Sequence, residues 1–345
     1  MPLSALPPTT RGSVRVAVDV CSRCADLIAG WSVPPDREEV RLANLSSRQV
    51  GNFFFLLVSI CHQTSTPGVP PLEGVVDGRY RRGWDYLEAR LETEVRADET
   101  LLSPLTWATL TPSHLESIFR DDKYGSRLTH LAGRSELIQD LGQRMKGFGW
   151  LWVDTMYESA GHRVDTGATS LLQLLSTFTA YSDPVKKKSS FFLSLMRNSG
   201  IWSYVDDETL GPPVDYHEVR GHLRIGTVRI VDQGLREKIF NRQPVDYSED
   251  IAIRSCVYDA IMMISRGRGM HSPSQLHYLF WNIFRSCCRR ENPHCRACGA
   301  ECDLPGQYVH LALQGDVRRC PFASICASAN ARKRYYEHVF ETDYY

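Results

Sequence analysis

The chain has 345 residues, enough for one large or two modest domains with a substantial buried core. Its 43% hydrophobic and 23% charged residues are the proportions of an ordinary soluble globular protein, not of a low-complexity chain. Forty basic residues against forty acidic ones leave no formal net charge, so any contact with nucleic acid has to come from a local basic face.

Residues 1–15 lack the charged-then-apolar pattern of a signal peptide, and the apolar run 53–60 is far too short to cross a bilayer. A cytoplasmic location without a membrane partner is the expectation. There a reducing environment favours metal ligation over disulfides.

Taken in chain order, the predicted elements are mostly helical. Ser46 caps a buried-looking helix within 46–64, and Trp84, Leu87 and Leu91 give the segment 80–95 an amphipathic period. Pro112 suits the first turn of a helix running through Leu115 and Phe119. Segments 135–145, 171–181, 189–196, 249–264 and 275–285 read the same way. Strand alternation is weak, with 223–231 the best candidate, and it suits a helix equally well. The Pro- and Gly-containing stretches 64–79 and 206–214 read as loops. The expected architecture is all-α: a helical domain over 1–285, then a cysteine-rich metal-binding module and tail over 286–345.

Seven of the eleven cysteines lie between Cys287 and Cys326, in the pattern Cys288-x6-Cys295-x2-Cys298, then Cys302, then Cys320-x5-Cys326. Thiols this dense, on a segment with little apolar sequence, are what a tetrahedral zinc or a 4Fe–4S cluster requires. One metal centre is expected, with Cys288, Cys295, Cys298, Cys320 and Cys326 supplying at least three ligands. The spacing leaves the choice of metal and of the four ligands open.

Four other constellations carry chemistry. Pro212-Pro213-Val214-Asp215 presents a carboxylate at a helix start, followed by His217, Arg220, His222 and Arg224. Asp215 is either a helix cap or a positioned acid, with His217 and His222 as proton-transfer partners and Arg220 toward a phosphate. The run Lys186-Lys187-Lys188 puts cations at the positive end of a helix dipole, a disfavoured placement that suggests phosphate binding by Lys187 and Lys188. Trp84 and Tyr86 offer flat faces to a base, although aromatics on such a helix are more often core. Asn282 is the polar exception in the apolar run 278–284, where it would face Asp215 across any cleft.

The stretches Asn52-Phe53-Phe54-Phe55, Gly83-Trp84, Ala108-Thr109-Leu110-Thr111 with Leu115 and Phe119-Arg120-Asp121-Asp122, Lys187-Lys188, Asp215-Tyr216 with His222-Leu223, Ile253-Arg254-Ser255-Cys256 and Leu279-Phe280-Trp281 cover most of 50–285. In that order they resemble the queuosine salvage family, whose members share an architecture with helix-hairpin-helix DNA glycosylases. The resemblance implies a helical DNA-glycosylase-like domain, with Asp215 at the 7-deazaguanine base and glycosidic bond and Lys187 near the phosphate. The family has an aspartate where this chain has Asn282. Its members lack a module like 288–326, which is similar instead to the iron–sulfur signature of endonuclease III-like DNA glycosylases, with an insertion.

A DNA-modifying relative of the salvage family fits this combination: it would keep the deazaguanine pocket, add a DNA-facing module and give up bond cleavage at the sugar. The implied function is conversion of 7-cyano-7-deazaguanine in DNA to the 7-amido base, with Asp215 and His217 or His222 activating water, or a thiol such as Cys61 adding first. The alternatives are an N-glycosidase that releases queuine from queuosine 5′-phosphate, and an iron–sulfur glycosylase-like or DNA-binding protein. The expected partners are modified DNA or a 7-deazaguanine nucleotide, and possible further DNA-modification proteins.

Overall fold

Helix caps and buried stripes organise this chain, as a computed structural model shows for residues 10–35, 44–64, 69–298, 304–314 and 317–345. The described residues form 14 α-helices and only two- and three-stranded sheets, so the protein is mostly helical. They divide into two compact units: the described residues of Met1–Asp36 with those of Gly211–Glu341, and those of Arg37–Leu210 with Thr342–Tyr345. The division falls elsewhere than at residue 285. The cysteine-rich segment belongs to the first unit because it packs on the helices Tyr216–Ile225 and Pro273–Ser286, sharing one apolar core with them.

The first unit has a small antiparallel sheet in the order Thr10–Arg11, Val14–Val16, Val228–Ile230, with Val14 opposite Ile230 and Val16 opposite Val228. The stretch 223–231 is part helix and part strand. Gly226 explains the break: its φ of +93° closes the helix Tyr216–Ile225 in the left-handed conformation that glycine adopts without penalty. Gly221 lets this helix approach Pro273–Ser286 closely, since a Cβ there would sit 2.2 Å from the Phe284 ring.

In the second unit, Ser46 and Gln49 form a capping box at the start of the helix Ser47–Ser59. The Phe55 ring stacks on Tyr181 at 4.9 Å and meets Phe178 and Phe192. The helices Trp84–Ala97, Leu131–Phe148 and Lys187–Asn198 add to the same core. The expected loop 64–79 holds a strand: Glu73–Val76 pairs with Arg79–Arg82 around Asp77-Gly78, both at positive φ, as a tight hairpin turn demands. Those strand residues displace the predicted helix start from 80 to Trp84.

Candidate active site

The helix Ser47–Ser59 runs out of apolar sequence at Cys61-His62-Gln63-Thr64, which turns away as loop. Facing it is the start of the helix Lys187–Asn198. Lys186, its N-cap, holds a left-handed φ of +63°, and Gln63 holds +45°. Non-glycine residues store strain in this conformation, and here two of them flank the same group of side chains. Lys187 Nζ lies 3.1 Å from Cys61 Sγ, across 126 residues of sequence. The neighbouring Lys188 Nζ donates to the Ser59 carbonyl at 2.5 Å and sits 3.2 Å from His62 Nδ1. Below them, Arg134 donates to the carbonyls of Ile60, His62 and Thr129, fixing the loop from the buried side.

Lys188 is fully buried, and burial pushes its ammonium down to about 7; Cys61 pulls the other way, while Lys187 and Arg134 add to the depression. Burial, then Lys188, drives the His62 imidazole well below its ordinary value, opposed by its contact with Asp343, so the ring is neutral near pH 7. His62 Nε2 is 3.2 Å from Asp343 Oδ1, off the line of a good hydrogen bond. Residues 342–345 thus reach this loop, and Gln63 N also donates to the Tyr345 carbonyl at 3.2 Å. Lys187 Nζ lies 5.3 Å over the Phe191 ring, which meets Trp84 edge-on at 4.7 Å. Cys61, Trp84 and Phe191 are all partly exposed. A thiol, an ammonium, an amine held near neutrality and an aromatic wall therefore share one place.

This arrangement brings together Lys187, Lys188 and Trp84 from the residues singled out in the sequence. Tyr86, two residues after Trp84 and so on a different face of the helix, is fully buried and donates to the Phe119 carbonyl, as a core tyrosine does. Lys188 is likewise enclosed.

Asp215, His217, His222, Arg220 and Asn282 belong to the first unit. The Asp215 carboxylate accepts from the backbone N–H of His217 at 2.7 Å and of Glu218 at 3.2 Å, and the Glu218 carboxylate accepts in turn from Asp215 N at 3.0 Å. That is a complete capping box. His217 is held by Arg220 at 2.8 Å, and burial pushes it down to about 3. His222 is fully buried against Phe280 and Phe284, hydrogen-bonded to Thr227, and pushed down to about 3 by burial. Arg220 donates to the carbonyls of Phe284 and Cys288 and to Glu337. Asn282 donates to the Tyr278 carbonyl one turn back.

Arg220 and Arg224 brace the cysteine segment. Arg224 donates to the carbonyls of Cys288, Arg289, Arg290 and Tyr335, and lies 3.4 Å from Cys288 Sγ. Beside it, Cys287, Cys288, Cys295, Cys320 and Cys326 line a single pocket, with Phe284 and Phe322 among its walls. Cys298 is buried but does not line the pocket, and its N–H bonds to the Arg318 carbonyl. Cys302 lies outside the described residues. Among the described residues no three His, Cys, Asp or Glu side chains converge as tightly as a single metal ion requires.

Sequence reasoning placed Cys61 only as an alternative nucleophile, and its pairing with Lys187 was not visible there. The available signal was an apolar helix ending abruptly in Cys-His-Gln-Thr. Comparison with known proteins finds no matching family model and no matching curated protein. Among the described residues no helix is long and apolar enough to cross a membrane.

Proposed function

We propose that the protein is a base-modifying enzyme that hydrates a nitrile to a primary amide, with 7-cyano-7-deazaguanine in DNA as its substrate and Cys61 as the nucleophile. The observation that carries this reading is the 3.1 Å contact between Cys61 Sγ and Lys187 Nζ, beside a partly exposed aromatic wall. A nitrile carbon is attacked by a thiolate, and the nitrogen that gains charge needs a proton. Cys61 would supply the sulfur and Lys187 the proton.

The Cys61 thiolate would form the C–S bond while Lys187 gives a proton to nitrogen, producing a thioimidate. Water then adds to the same carbon, one of its protons returning to Lys187. The second passes to nitrogen as the C–S bond breaks, releasing amide, thiolate and ammonium. The glycosidic bond takes no part. The deazaguanine identity of the substrate rests on the sequence resemblance, and the base-stacking role falls to Trp84.

A polymeric substrate is favoured by the hairpin strand Arg79–Arg82, whose Arg79, Tyr80 and Arg82 are exposed and which leads through Gly83 into Trp84. Lys123 and Arg127 flank Tyr124, whose ring is 6.1 Å from Tyr80. Such a local basic and aromatic face suits a phosphate backbone, and a flipped base would regain stacking on Trp84. The test is incubation of DNA containing 7-cyano-7-deazaguanine, and separately of queuosine 5′-phosphate, with mass analysis of the products. Amide with the glycosidic bond intact is expected from the first. Free queuine without amide would replace this reading with the glycosidase, and binding without turnover would favour the DNA-binding module.

A further inference from the structure

The pocket in the first unit carries a second, independent inference. Five thiols line it, but Cys287 and Cys288 are adjacent, and it is Cys288 that meets the Arg224 guanidinium at 3.4 Å. Cys326 Sγ lies 3.2 Å from the Arg224 carbonyl, so Cys288 and Cys326 reach the pocket around one residue. Cys295 and Cys320 line the same pocket. We propose that Cys288, Cys295, Cys320 and Cys326 bind a 4Fe–4S cluster in this pocket, and that Cys287 and Cys298 are not ligands.

Geometry separates this assignment from zinc. A zinc ion about 2.3 Å from each sulfur draws the four sulfurs to within about 4 Å of one another. No such convergence exists among the described side chains, yet five cysteines, from which these four are drawn, line one hollow. Cysteines spaced around a hollow suit a cluster, whose irons take one thiolate each at its corners. The surroundings agree. Phe284, Phe322 and Ile225 wall the pocket with apolar surface, while Arg224 and Arg334 bring positive charge to offset the anionic assembly.

The ligand set also makes sense of the spacing. Six residues separate the first pair and five the second, and residues 296–319, with Cys298, form an insertion between them. Among its described residues are one short helix, Val309–Ala312, a 3-10 turn and a two-residue strand pair. A cluster held from both sides of the insertion would cross-link its two ends.

The test uses the full chain purified without oxygen, alongside six single variants, Cys287→Ser, Cys288→Ser, Cys295→Ser, Cys298→Ser, Cys320→Ser and Cys326→Ser. Iron, acid-labile sulfide, zinc and visible absorption are measured for each, with circular dichroism as a check of folding. The parent chain should hold about four irons and four sulfides. Cys287→Ser and Cys298→Ser should keep them, and the other four should lose most of them. Cys295 and Cys326 are only partly buried, so their variants remain informative even where Cys288→Ser or Cys320→Ser fails to fold. Stoichiometric zinc without sulfide in the parent chain, no metal at all, or loss of iron in Cys298→Ser with retention in Cys326→Ser would overturn the assignment.

Discussion

Lys188 is an amine that folding places at a cost. Its ordinary value is 10.5, and burial holds it at about 7, so between those pH values the unfolded chain binds a proton that the folded chain does not. Stability from this group therefore rises as pH climbs from about 7 to 10.5, and below that window the buried charge is a standing penalty. Lys188→Met removes the penalty together with the hydrogen bond to Ser59. Compared with the parent, the variant should fare best near pH 7 and lose that relative advantage toward pH 10, as thermal midpoints at the two pH values would show; a difference independent of pH would refute the buried ionisation. Cys61→Ser should abolish amide formation, by at least a hundredfold in kcat, while the thermal midpoint stays within a few degrees. Its side chain is only partly buried, so packing changes little. Equal turnover in that variant would remove Cys61 as nucleophile.

At the scale of elements, the helix Tyr216–Ile225 separates two readings of Asp215. A cap lost to Asn is nearly neutral and one lost to Ala costs about 1 kcal/mol, whereas a catalytic carboxylate lost to either abolishes turnover. With Asp215 Oδ1 accepting from both backbone N–H groups, as the oxygen of a helix cap does and as an Asn oxygen also can, the expected result for Asp215→Asn is near-normal amide formation. The same helix depends on Gly221. An added methyl would meet the Phe284 ring at 2.2 Å, so Gly221→Ala should destabilise the first unit by about 3 kcal/mol, read as a lower urea midpoint. Legibility at this scale was uneven. Ser46 announced its helix by a local cap, and the expected helical segments 189–196 and 249–264 lie inside Lys187–Asn198 and Tyr247–Ser265. The hairpin over Glu73–Val76 and Arg79–Arg82 was missed because its outer strand is a run of Arg and Tyr with no apolar alternation, and the signal lay in Asp77-Gly78 alone.

Across the whole molecule, acid should act through buried carboxylates. Burial alone would raise Glu337, but Arg220 and Arg290 overcome it and hold the group at about 2; Asp250 is held at about 2 by His338 and Arg254 against the same burial. Their ordinary values are 4.5 and 3.8, so their stabilisation is complete above about pH 5 and is lost as pH falls toward 2. A thermal midpoint that drops steeply over that window in the parent, and less in Glu337→Gln, is the expected result; parallel curves would show that the Glu337 pairing contributes nothing. The sequence by itself determined the helical class, the absence of a global charge field and the crowding of thiols toward one end, because composition, period and spacing are local quantities. The tertiary structure alone decided which thiols line a pocket, that Arg220 and Arg224 turn inward to hold carbonyls, and that Lys187 meets Cys61 from 126 residues away. Those pairings follow from how helices pack, and packing joins residues whose positions in the chain carry no trace of one another.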